Sequence, residues 1–90
     1  IDEQKLLHNL KKRNRNSLDD IIKIYTPYVS VIVYNTVAVN LSKEDMEEIV
    51  SDTFFLLWQN SLNIDETNGN MRSYLATIAR THSKNKLRKY

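Results

Sequence analysis

Six bases and no acid fall within residues 71–90: Arg72, Arg80, Lys84, Lys86, Arg88 and Lys89. A row of cations without nearby carboxylates neutralises phosphates and releases their counterions, which supplies most of the affinity of proteins for nucleic acids. Arg72, Arg80, Lys84 and Arg88 follow at intervals of eight, four and four residues, which predicts one cationic stripe if the segment is helical. Thr77, Thr81 and Asn85 are interleaved with them and can hydrogen-bond phosphates or base edges. Residues 41–66 carry the opposite balance, seven acids against the single base Lys43. Charge segregated in this way says more about partners than the net +2 of the chain. By composition, the acidic segment is either a solvated helix face or a docking surface for a basic partner.

Other chemistry finds little support. His8 and His82 are expected in different helices with no third ligand beside them, so no metal site is expected. The chain has no Cys, which excludes disulfides and thiolate metal ligation. It offers neither a glycine loop to cradle phosphates nor a nucleophile motif, so neither an enzyme nor a cofactor is expected. No apolar run approaches the roughly 18 residues that span a bilayer. No signal peptide is apparent, and a cytoplasmic location is expected.

The elements that must position these groups follow from composition and period. Ninety residues suit one domain. A single Gly and a single Pro leave almost nothing to build tight hairpins with, so the expected fold is all-α, a compact bundle of about four helices. The first helix carries Leu6, Leu7 and Leu10 over residues 2–13 and ends in a polar break. Ser17, with Asp20 three residues on, predicts the N-cap of the second. That helix places Leu18, Ile21, Ile22, Tyr25, Tyr28, Val29, Ile32 and Val33 at helical spacing, and Pro27 should kink or restart it. Its β-branched end, residues 29–39, is read as helix because no other segment offers a strand to pair with.

Ser42 opens a third helix with Met46, Ile49, Val50, Thr53, Phe54, Leu57 and Trp58 on one face. Residues 60–70 form a polar loop, and Asn70 caps a last helix whose inward residues are Met71, Tyr74, Leu75, Ile78, Ala79 and His82.

Taken in order, these motifs resemble region 2 of bacterial RNA polymerase sigma factors, with the extracytoplasmic-function group as the nearest match. Residues 42–58, SKEDMEEIVSDTFFLLW, are similar to region 2.2, whose usual form is an acidic start and then Asp-Leu-Val-Gln-Glu/Asp-x-Phe-x-x-x-Trp. Residues 71–80, MRSYLATIAR, resemble that family's Phe-Arg-x-Trp-Leu-x-x-Ile-Ala-Arg. The upstream Tyr25-Thr26-Pro27-Tyr28-Val29 is similar to region 2.1. The resemblance covers nearly the whole chain in order and spacing.

What it implies is a transcription-initiation domain over residues 1–90, with the region 4 domain absent from this chain. The region 2.2 helix would pack on the β′ clamp helices of core RNA polymerase, which makes Glu48, Ile49, Ser51, Asp52 and Phe55 the expected contacts. The loop at 60–70, including Asn63, would capture a base flipped from the non-template strand. The last helix would read and hold the promoter −10 element through Arg72, Tyr74, Thr77, Arg80, Thr81, Lys84, Asn85 and Arg88. An anti-sigma factor is a further expected partner.

Ser51 stands where the family usually has Gln, Tyr74 where Trp is common, Thr81 where Asn is usual, and Asn85 where Asp or Asn is. Base preference therefore does not carry over. The competing expectation is a helical protein-interaction module without direct DNA function. A helix-turn-helix duplex binder is disfavoured, because the loop before the last helix is longer than the usual turn of roughly 3–4 residues.

Overall fold

The computed structural model describes residues 2–65 and 70–88. Among these the fold is all-α, with four helices and no strand. They are α1 (Glu3–Lys11), α2 (Arg15–Val37), α3 (Lys43–Gln59) and α4 (Met71–Leu87), and a 3-10 turn (Ser61–Asn63) follows α3.

Each α-helix starts on a side chain that satisfies a backbone N–H the helix itself leaves orphaned. Asp2 accepts from the Lys5 amide at 3.0 Å and Asn14 from the Asn16 amide at 2.9 Å. Ser42 accepts from the Asp45 amide and Asn70 from the Ser73 amide, both at 3.1 Å. The Ser42 and Asn70 caps agree with the sequence reading. The expected cap at Ser17 does not: α2 begins earlier, capped by Asn14, and Ser17 is buried within its first turn. Asn is as good a cap as Ser, and Arg13, at φ 64°, turns the chain so that Asn14 arrives in the extended conformation a cap requires.

Pro27 neither ends nor restarts α2, which runs unbroken to Val37. Proline removes one hydrogen bond, but Pro27 is exposed, on the side of the helix where water can serve the orphaned carbonyl. The opposite side is anchored along its length by buried Leu18, Ile21, Tyr25, Val29, Ile32, Val33 and Val37. The β-branched end is helical, as expected.

One core joins all four helices. Leu7 and Leu10 of α1, the α2 stripe, Ile49, Phe54 and Leu57 of α3, and Met71, Leu75, Ala76 and Ala79 of α4 form a single buried cluster. α2 is the central element and packs against each of the other three, while α3 and α4 pack on one another. The small residues Ala76, Ala79 and Ser83 are buried on α4. Ser83 Oγ has no hydrogen-bond partner among the described residues. No helix among the described residues is long and apolar enough to cross a membrane.

Candidate nucleic-acid interface

The 3.6-residue period of α4 sorts its polar residues onto different sides. Thr77, Arg80, Thr81, Lys84 and Arg88 are exposed and Asn85 is half-buried, and steps of three and four keep them on one face. Thr77, Thr81 and Asn85 line a groove of about 250 Å³ whose other wall is Leu56 and Asn60 at the end of α3, with Ile78 and His82 between. Arg80, Lys84 and Arg88 flank the groove on the same face of α4. The groove therefore offers hydroxyl and carboxamide groups beside a cationic row, an arrangement suited to a nucleotide strand.

Arg72 does not belong to that row. Eight residues exceed two helical turns, so the interval to Arg80 drifts around the helix. The Arg72 guanidinium lies instead over the Tyr28 ring of α2, 5.6 Å from its centroid. Nearby, the Tyr25 hydroxyl donates to Glu3 at 2.7 Å. Burial, then the hydrogen bond to Glu3 and its charge, push the Tyr25 pKa up to about 12 against a weaker opposing pull from Arg72. Arg72, Tyr28, Tyr25 and Glu3 thus form a separate cluster at the N-terminal end of α4.

Lys86 points the other way from the row. Its ammonium donates to Glu48 of α3 at 2.7 Å, with only 19% of the side chain exposed. One turn earlier His82 Nε2 lies 3.1 Å from Asp52 Oδ2. The acidic α3 and the basic α4 are joined by these two contacts, which opposite composition alone does not disclose.

The segment after α3 starts as structured backbone and not as open loop. Asn60 caps the C-terminus of α3, its side-chain amide donating to the Leu56 carbonyl at 2.9 Å. The Asn63 amide donates to the Asn60 carbonyl at 3.0 Å, and Ile64 is buried. Asn63 is exposed at the end of this turn, beside exposed Leu62. The Tyr74 hydroxyl donates to the Asp65 carbonyl at 3.1 Å. Tyr74 is therefore half-buried and braces the loop backbone. Residues 66–69 of the expected loop, and Lys89 of the basic segment, lie outside the described residues.

The α3 residues expected to meet a partner fall into three groups. Ser51 and Phe55 are exposed, Phe55 to 57%. Together with Tyr34, Met46 and Val50, Ser51 borders a groove between α2 and α3. Glu48 and Asp52 are accessible but engaged with α4. Ile49 is fully buried in the core, so its expected role as a surface contact is corrected: its side chain is already packed inside the bundle.

Sequence reasoning misses Arg13. Its guanidinium stacks over the Trp58 ring at 3.9 Å and donates to the Trp58 carbonyl at 2.6 Å and to Ser61 Oγ at 3.2 Å. The only signal in the sequence is a cation inside the polar break between α1 and α2.

A family model described as Sigma-70 region 2 matches residues 21–90. No curated protein and no solved structure matches the chain.

Proposed function

The chain belongs to the sigma-70 region 2 family, and from that premise we propose that it is a transcription-initiation domain that binds core RNA polymerase and recognises promoter DNA. The exposed outer face of α3, with Ser51 and Phe55, docks on the β′ clamp helices, and Glu48 and Asp52 border that contact. α4 takes the −10 element. Arg80, Lys84 and Arg88 hold the backbone of one strand, while Thr77, Thr81 and Asn85 meet base edges in the groove. Asn63, on the turn beside it, receives a base unstacked from the non-template strand. Flipping costs a few kcal/mol, so the phosphate contacts must retain the strand while the turn competes for the base. In this way the domain helps to melt the −10 element.

The motif forms at 42–58 and 71–80 favour the extracytoplasmic-function group, acting in the cytoplasm with polymerase. An anti-sigma factor would act by covering the α3 face or the α4 groove.

The observation that carries this reading is the juxtaposition on α4: a polar groove and a cationic row on one face, with Asn60 at the groove's wall opening the turn on which Asn63 is exposed. The test is fluorescence anisotropy with a labelled single strand of −10-like sequence and with its scrambled counterpart, each at two salt concentrations. Preference for the −10-like strand, with salt-dependent affinity for both, is expected. Salt-independent binding, or none, would leave the protein as an interaction module without direct DNA function.

A further inference from the structure

Three features of Arg13 coincide. It is the one residue other than glycine with positive φ among the described residues, at 64°, a conformation that costs free energy for any side chain with a Cβ. Its guanidinium is used three ways at once, on the Trp58 ring, the Trp58 carbonyl and Ser61 Oγ. Those partners are 45 and 48 residues away in sequence, at the end of α3 and the first residue of the 3-10 turn. Ser61 is itself fully buried. A planar cation that stacks and donates in a fixed fork holds its partners in one geometry as a lysine cannot.

The far end of the same segment is held separately, by the Tyr74 hydroxyl on the Asp65 carbonyl. Exposed Leu62 and Asn63 therefore stand on a short backbone span fixed at both ends, by Arg13 before it and by Tyr74 after it. Arg13 also lies outside the residues that match the family, which begin at 21. The α1–α2 junction thus reaches into the candidate DNA site from a part of the chain that the family match does not cover.

We infer that Arg13 is a positioning residue for strand recognition: by latching the C-terminus of α3 and Ser61, it fixes the turn from which Asn63 meets an unstacked base. The left-handed backbone at 13 is what directs the guanidinium to that place. The inference rests on the DNA-binding reading, and it predicts a loss confined to base discrimination. Arg13 takes no part in the phosphate contacts of Arg80, Lys84 and Arg88, so affinity common to all strands stays as it is.

Two variants test it in the whole chain. Arg13→Gly keeps the left-handed turn without strain and deletes the latch, while Arg13→Lys keeps the charge without the fork. The first readout is amide exchange without DNA. In Arg13→Gly the Asn63 and Ile64 amides, which donate to the Asn60 and Ser61 carbonyls, should exchange faster while the middle of α4 is unchanged. The second is the affinity ratio between the −10-like and scrambled strands. It should fall by about fivefold or more, the lower end of what one mismatched base costs, with scrambled-strand affinity retained and Arg13→Lys intermediate. Unchanged exchange at Asn63 and Ile64, or acceleration spread evenly over α3 and α4, overturns the latch. Equal loss on both strands overturns the positioning role. If exchange accelerates locally but the unaltered protein binds the two strands alike, or neither, base recognition at the turn fails and the latch stands.

Discussion

Lys84 and Lys86 are near neighbours on α4 and identical in charge, yet their surroundings give them different work. Lys84 is exposed on the row with Arg80 and Arg88, whereas Lys86 is bonded to Glu48 with 19% of its side chain exposed. Each phosphate neutralised on a single strand contributes about 0.7 to the slope of log affinity against log salt, so the three cations of the row give a slope of about 2. Raising salt from about 50 to about 200 mM should then weaken binding about 20-fold. Lys84→Ala should reduce the slope to about 1.4 and the salt effect to about 7-fold.

Lys86→Ala should leave the slope near its original value, because an ammonium already paired with a carboxylate releases no counterion from DNA. The assay is anisotropy of a labelled scrambled strand titrated across a series of salt concentrations, which removes base readout from the comparison. A slope that falls as much for Lys86→Ala as for Lys84→Ala would refute the assignment of Lys86 to α3.

The Lys86–Glu48 contact has a stability signature of its own. A double-mutant cycle of Lys86→Met and Glu48→Gln, followed by urea unfolding, should show a coupling of about 0.5–1 kcal/mol, the range for a pair open to solvent on one side. Ser83→Ala removes a buried hydroxyl that has no partner among the described residues and should raise stability by up to about 1 kcal/mol, read as a higher urea midpoint at constant slope. Tyr25 has its pKa raised to about 12, so folding favours its neutral form. Its contribution is fully present below about pH 10 and is lost as pH rises through about 12. Tyr25→Phe should abolish that alkaline loss in pH-dependent unfolding, and should cost about 1 kcal/mol near neutrality for the bond to Glu3. Phe55→Ala should weaken capture of core polymerase in a pull-down without lowering the melting temperature. Ile49→Ala should cost about 2–5 kcal/mol of stability.

The contrast between Phe55 and Ile49 shows how far the sequence can be read. The helical period alone places Ile49 inward, with Met46, Val50 and Leu57. The motif resemblance places it among partner contacts, because a motif identifies an element more securely than the side of it each residue occupies. The structure agrees with the period. Caps at Ser42 and Asn70 are legible because capping is a local matter of one side chain and an amide three residues on. The cap of α2 is not, because Asn14 and Ser17 are both competent, and the choice depends on a backbone turn at Arg13 that an arginine does not announce. The interval that predicts Arg72 in the cationic row approximates the helical repeat but drifts over two turns. The contacts of Lys86 and His82 with α3 follow only from the packing of α3 on α4. Sequence alone displays no more of them than the opposite charges of the two helices.

Trp58 is the only tryptophan in the chain, and its ring carries the Arg13 guanidinium 3.9 Å from its centroid. The indole is therefore an intrinsic optical probe placed at the root of the turn that presents Asn63. Its emission, sensitive to a cation over the ring and to water at its edge, responds to that one junction while the five tyrosines stay silent under red-edge excitation. Engagement of the turn can thus be followed in unlabelled protein, in real time, separately from events at the far end of α4.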